Sequence, residues 1–308
     1  MSKTMKKPVS MKLRLLGVRG SRPTHKIKLL GYGGNSTSME FELEGADYRI
    51  FLDGGSGLAH HGMRLGESPD EKEFHFLITH THWDHILGFP FFEPLYNKNN
   101  TINFYSSKSS KSTFNDLFFG LHRADNLPVP VSKMKAKINF NTIAAGTPFK
   151  VRDVTVSCYQ INHQGITLGY RLDYKGSSVA VITDNAPIEN GNYMGEGMKE
   201  KSSADPEKFE KDFNQGLVDF LKDCHTVVFD THFTENNLKP DWGHSTPQRA
   251  LDFCAKAGVS RLILFHHAPE DEDSDVDKKV KSVVQQATIA GVEVEAAVEG
   301  GLWDLKCS

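Results

Sequence analysis

The run His80-Thr81-His82-Trp83-Asp84-His85 constrains this chain more than any other stretch. It sets three imidazoles and a carboxylate within six residues, directly after the apolar, strand-like segment Phe74-His75-Phe76-Leu77-Ile78-Thr79. Residues two apart in an extended segment point the same way. His80 and His82 can therefore grip one ion, while Asp84 and His85, entering the next turn, reach toward a second. Imidazole suits zinc, iron and other transition ions, and a carboxylate beside it widens the choice. A fold that accepts this run must end a strand at a metal site.

Two ions need more ligands than this run supplies. His163 follows a strand ending in Gln160-Ile161-Asn162, and Asp184 follows Val179-Ala180-Val181-Ile182-Thr183. His266 follows Arg261-Leu262-Ile263-Leu264-Phe265 in the same way. A lone histidine at a strand end is more often structural than a ligand. Three strand ends that deliver ligand-type residues, however, suit one rim of a layered sheet structure. His267 is the rival to His266, which is preferred because it comes first after its strand.

Strands are expected at 11–18, 37–43, 48–53, 74–79, 101–106, 148–157, 166–174 and 177–183, with Lys175-Gly176 as a hairpin turn. Helices are expected at 109–121, 206–222, 246–257 and 276–290. Pro247 after Ser245-Thr246 makes a good helix start and Gly258 a good stop. Strands at 226–230, 261–265 and 292–298 alternate with these late helices, which indicates a mixed layered architecture. Two segments look inserted, 114–134 with its phenylalanines and Pro128-Val129-Pro130, and the polar, Gly-rich 186–206. The aromatic part of the first reads as core, with a flap or dimer contact as the alternative. Asp271 to Asp277 reads as a solvated helix start.

With 308 residues, 38% of them hydrophobic, the chain can bury a sizeable core as one large domain or two smaller ones. A net charge of -3 gives no bulk electrostatic pull toward nucleic acid or membranes. No apolar run approaches the length of a bilayer crossing. The basic stretch Met1 to Lys7 leads into a strand too short and too charged for a signal peptide. Cys158, Cys224, Cys254 and Cys307 show no paired spacing and read as free thiols. The expectation is a cytoplasmic protein with no membrane partner.

The order His80, His82, Asp84, His85, His163, Asp184, His266 resembles the metallo-β-lactamase superfamily. Leu16-Gly17-Val18-Arg19-Gly20-Ser21-Arg22-Pro23, Tyr32-Gly33-Gly34-Asn35-Ser36, Leu52-Asp53-Gly54-Gly55 and Trp242-Gly243-His244-Ser245-Thr246 are similar to its phosphodiesterase branch. That branch includes the tRNA 3′-processing endonucleases and cyclic phosphodiesterases. The resemblance implies an α+β fold, a four-layer αββα sandwich, formed by residues 1–308 as a single domain. It implies one metal on His80, His82 and His163, another on Asp84, His85 and His266, and Asp184 bridging both. The two divalent cations would be zinc, with manganese or iron as alternatives. A hydroxide shared by the cations would attack the phosphorus in line. His244 would serve as the catalytic donor to phosphate or leaving group, Asp84 would count as catalytic besides being a ligand, and Asp53 would orient ligands. His232 is a candidate for facing substrate, as are Ser21 and Asn35 on their Gly-rich loops. The remaining histidines, among them His25, His60, His61, His75, His122 and His225, read as surface or core.

The implied activity is hydrolysis of a small phosphodiester, foremost a cyclic nucleotide. The alternative is an RNA-processing nuclease of the tRNA 3′-end type. Those enzymes in their long form carry a Gly/Pro-rich arm between the equivalents of His163 and Asp184, where only about twenty residues lie here, accounted for by a hairpin. Nucleic acid is therefore the less favoured partner, a lactam or thioester less favoured still, and a homodimer is implied by resemblance alone.

Overall fold

The computed structural model describes residues 11–29, 31–66, 72–108, 113–121 and 131–305. His122, Pro128-Val129-Pro130, Cys307 and the stretch from Met1 to Lys7 lie outside the described residues. Among the described residues, fourteen strands and seven α-helices follow one another in chain order. The first half holds β1 (Met11–Gly17), β2 (Ser38–Leu43), β3 (Tyr48–Leu52), α1 (Gly57–Gly66), β4 (Glu73–Leu77), α2 (Trp83–Ile86), β5 (Thr101–Ser107), α3 (Phe114–Leu121) and β6 (Lys137–Ile143). Then come β7 (Phe149–Val151), β8 (Val154–Ile161), β9 (Thr167–Tyr174), β10 (Ser177–Ile182), α4 (Met198–Ser202) and α5 (Pro206–Leu221). The last part holds β11 (Thr226–Asp230), α6 (Pro247–Ala257), β12 (Arg261–Phe265), α7 (Asp273–Ala290), β13 (Glu293–Ala296) and β14 (Leu302–Leu305).

The strands form two seven-stranded mixed sheets, ordered β14-β1-β2-β3-β4-β5-β6 and β13-β12-β11-β10-β9-β8-β7. Alternation along each strand divides the apolar side chains between two faces. Met11, Leu13 and Leu15 of β1 meet Val179 and Val181 of β10, and Ile263 of β12, in a core between the sheets. The opposite face of the second sheet, through Ala180, Ile182, Leu262 and Leu264, packs against α5, α6 and α7. The opposite face of the first, through Phe51, Phe74, Phe76 and Phe104, packs against α1, α3 and the turns around Phe89 and Phe92. Three cores between four layers give the αββα sandwich.

Local chemistry accounts for the helix ends. Thr246 caps α6 by accepting from the Arg249 N–H, Pro247 takes the first turn, and Gly258 closes it in a left-handed conformation. Helix α7 starts three residues earlier than the sequence indicates, through a capping box between Glu272 and Asp275. The expected strand 148–157 divides instead at Arg152-Asp153, where Arg152 takes a positive φ and the chain turns from β7 into antiparallel β8. The segment 186–206, expected to be irregular, contains the short α4. In the aromatic segment Phe114 and Phe118 are buried and belong to the core, as the simpler reading had it.

One lysine breaks the surface rule. Lys279 sits on the buried stripe Val276, Lys279, Val283, Ala287 of α7. Its ammonium donates to the carbonyls of Thr231 (2.8 Å) and His232 (2.6 Å) and to Asp271 Oδ2 (2.5 Å). Beside it the fully buried Arg19 donates to the carbonyls of Leu29, Gly33, Ala268 and Asp271. The two cations tie together the loops that leave β1, β11 and β12. Lys279→Met keeps the volume and removes the donors, leaving the Asp271 charge without its partner. Denaturant unfolding is expected to show a loss of about 3–5 kcal/mol.

Candidate metal centre

Strands β10, β11 and β12 run parallel, as do β3, β4 and β5, so their C-terminal ends share one rim of the sandwich. The candidate ligands stand there. His80, His82, His163 and Asp184 bring one donor atom each within 4.8 Å of one another, and so do Asp84, His85, Asp184 and His266. Asp184 belongs to both groups. Its Oδ1 lies 3.9 Å from His80 Nε2 and 3.8 Å from His163 Nε2. Its Oδ2 lies 3.1 Å from His85 Nε2 and 3.3 Å from His266 Nε2. Each carboxylate oxygen thus faces a different set of imidazoles.

The fit of these groups to cations can be judged from their unmet needs. His80 Nε2, His85 Nε2 and Asp184 Oδ2 are buried and make no well-aligned hydrogen bond among the described residues. Such atoms are costly unless something satisfies them. They converge on one small volume, with His85 Nε2 3.1 Å from Asp184 Oδ2, as ligand atoms do around an ion. The protonation pattern divides. Burial disfavours the charged form of His85 and His266, but Asp84, Asp184 and Asp53 around His85, and Asp184, Asp84 and Asp230 around His266, outweigh it and raise both. A cation bound there would displace their protons. Burial pushes His163 down to about 4 and holds His80 well below the ordinary histidine value, keeping both imidazoles neutral. Burial opposes ionisation of Asp184, but His266, His85 and His80 outweigh it and hold the carboxyl well below the usual carboxylate range. Neutral imidazole and ionised carboxylate are the ligand forms. The clusters are suited to a dinuclear divalent site with nitrogen and oxygen donors.

The surrounding chain supports this geometry closely. Asp53 accepts from the Thr79 backbone N–H (2.8 Å) and hydroxyl (2.7 Å), and meets His85 Nδ1 at 2.7 Å. That contact turns His85 Nε2 toward Asp84 and Asp184. His163 Nδ1 contacts the Gly243 carbonyl at 3.0 Å, leaving Nε2 for the cluster. A Cβ on Gly243 would stand 2.1 Å from that ring, and Gly243 also has φ 78°, so only glycine fits. Asp53, Asp184 and His266 all take left-handed φ, at 57°, 49° and 61°. Non-glycine residues persist there when their surroundings over-determine them, typically at working sites. Asp53→Asn is expected to weaken metal binding roughly 10- to 100-fold, read by competition with a chelator.

The residues expected to face substrate divide between the cleft and other places. Ser21 lines the cleft over the cluster with His82, Asp84, His163 and His244, and its N–H donates to Asp84. Asn35 does not line it. Its side chain donates to Glu299 (2.6 Å) and accepts from Ser56 (2.8 Å), bracing the loop. His232 is buried beneath the cleft, stacked on His244 with ring centroids 4.5 Å apart. His267 is fully buried, and its Nε2 contacts the Ala297 carbonyl rather than the cluster. Asp230 was missed from sequence. At the end of β11 it meets His244 Nδ1 at 2.9 Å and accepts from the backbone N–H groups of Asn185 and His232. Its place at a strand end, like that of Asp184, was the available signal.

Comparison with known proteins agrees with this architecture. Residues 48–202, half of the chain, match the model of the beta-lactamase superfamily domain. A ribonuclease Z from Listeria welshimeri is 25% identical, over 91% of this chain and 97% of its own. The metallo-beta-lactamase fold protein YhfI from Bacillus subtilis superposes with a TM-score of 0.66 at 16% identity, covering 96% of this chain and 99% of its own. A diphosphatase from the PhnP family superposes at 0.65 with 14% identity, covering 96% and 98%. The paired-sheet fold is thus shared, and by the match over half of its length this chain belongs to the beta-lactamase superfamily.

Proposed function

We propose that the chain is a metal-dependent phosphodiesterase that hydrolyses a small phosphodiester, foremost a cyclic nucleotide. The observation that carries this reading is the division of Asp184, one oxygen toward His80 and His163 and the other toward His85 and His266. His80, His82 and His163 would hold one cation, Asp84, His85 and His266 the second, with Asp184 shared. Zinc suits this nitrogen-rich set, and manganese or iron could replace it. Bound there, two cations would activate water at neutral pH and offset charge on the phosphoryl oxygens.

The chain's own residues supply the rest. Asp230 fixes the His244 ring by accepting from Nδ1–H, which leaves Nε2 as the working nitrogen. His244 lines the cleft, within reach of a phosphodiester placed over the cluster. As the bond from phosphorus to the leaving oxygen breaks, protonated His244 gives that oxygen its proton. Ser21, with its backbone N–H committed to Asp84, steadies that carboxylate.

A second reading, an RNA 3′-end nuclease, is supported by the ribonuclease Z relatives, which align over nearly their whole length. Against it stands the connection from His163 to Asp184, which is only the β9–β10 hairpin, with no room for a substrate-gripping arm. Metal-replete protein assayed with bis(p-nitrophenyl) phosphate, cyclic AMP, cyclic GMP, a 2′,3′-cyclic nucleotide, precursor tRNA and a β-lactam tests both. Turnover of the cyclic nucleotides above precursor tRNA is expected. Preference for precursor tRNA would establish the second reading, and cleavage of the lactam alone would overturn both.

A further inference from the structure

The cleft over the cluster has a volume of about 370 Å³, and two indoles line it. Of the chain's three tryptophans, Trp303 is 9% exposed, whereas Trp83 and Trp242 are 67% and 52% exposed. Tryptophan is highly buried on average, so two open indoles on one cleft are informative. Both sit on short helical turns. Trp83 opens α2 between His82 and Asp84, and Trp242 ends the 3-10 turn Pro240–Trp242 just before Gly243-His244. The Trp242 ring is also braced. Lys239 Nζ lies 4.0 Å from its centroid, and Phe233 meets it edge-on at 6.3 Å. Gln164 and Asp241 add hydrogen-bonding groups to the same lining.

Two exposed indoles, one of them braced, beside hydrogen-bonding side chains and next to a site for phosphate, match a flat ring that carries its own donors and acceptors. We infer that Trp83 and Trp242 form a subsite for the nucleobase of a nucleotide phosphodiester, stacking the base while its phosphate lies over the cluster. This rests on the phosphodiesterase reading and narrows its substrates to nucleotides. Aromatic stacking accepts every base, since each has a π face. Discrimination among bases therefore falls to Gln164 and Asp241. The volume is within the range of small-ligand sites.

Adenosine monophosphate and ribose 5-phosphate share a phosphorylated sugar and differ by the base. Titrated into metal-replete protein and followed by tryptophan fluorescence, the nucleotide is expected to quench emission and to bind roughly tenfold or more tighter than the sugar phosphate. Trp242→Ala should lose roughly that tenfold for the nucleotide alone, and Trp242→Phe, which still stacks, should regain most of it. Metal content measured on each sample shows whether the cluster is intact. Equal affinity of the parent protein for the two ligands would overturn the subsite, as would an unchanged nucleotide affinity in metal-replete Trp242→Ala. Hydrolysis of bis(p-nitrophenyl) phosphate in the same preparations reports on the catalytic reading separately. Base-dependent binding without hydrolysis of any diester would remove the enzyme and keep the subsite.

Discussion

Asp184→Ala is expected to purify without a full pair of transition ions and to lose phosphodiester hydrolysis by more than about 10³-fold. Removing a single electrostatic donor from an active site costs roughly 10²–10³ in rate. Asp184 is placed to do more, because its two oxygens face separate imidazole sets and one substitution disturbs both. The residue is also held at φ 49° at the end of β10, a conformation that a strand-end residue adopts only under constraint. Asp184→Asn offers the sharper comparison. It keeps the shape and removes the charge that offsets His266 and His85. Elemental analysis of the two variants beside the parent, with turnover of bis(p-nitrophenyl) phosphate, reads the effect. A fully metallated, active Asp184→Ala would remove the bridging role and the dinuclear reading with it.

Most of the cluster was legible in the sequence because its candidate ligands follow apolar, strand-like runs, His163 after the more mixed β8 being the least marked. His80, His82, Asp84 and His85 after β4, Asp184 after β10 and His266 after β12 converge on one rim because those strands keep their register in parallel ladders. The supporting contacts were not legible. Lys279 sits among Asp277, Lys278 and Lys281 and reads as a solvated face, yet α7 turns it inward toward the Thr231 and His232 carbonyls. Arg19 reads as a loop cation and is buried among four carbonyls. Nothing local encodes such partners, which come from loops far apart in sequence. Helix α1 was missed because it runs between Gly57 and Gly66 with Gly62 inside, which lowers its local propensity. Edge strand β6 has a half-polar pattern, Lys137-Ile138-Asn139-Phe140-Asn141, and the four-residue β14 is too short for its alternation to stand out.

Replacing His244 by alanine separates catalysis from metal binding. The expected result is a fall in kcat of roughly 10²–10⁴ with both cations retained, the range of a positioned general acid. The geometry states what is at risk. His244, His232 and His266 bring donor atoms within 4.8 Å of one another, so His244 stands close enough to the cluster to be a ligand. Asp230 argues for the other role. It engages Nδ1 at 2.9 Å and receives the backbone N–H groups of Asn185 and His232, which pins the ring with Nε2 as its remaining nitrogen. Asp230→Asn should therefore reproduce part of the loss in kcat, because the amide can still touch the ring but no longer stabilises its protonated form. A phosphodiester with a strongly acidic leaving group, such as p-nitrophenol, needs less help from an acid than one releasing a ribose hydroxyl. The deficit of His244→Ala should accordingly be smaller for bis(p-nitrophenyl) phosphate than for a cyclic nucleotide. An equal deficit on both substrates would point to phosphate binding instead of proton donation, and loss of metal from His244→Ala would make His244 a ligand.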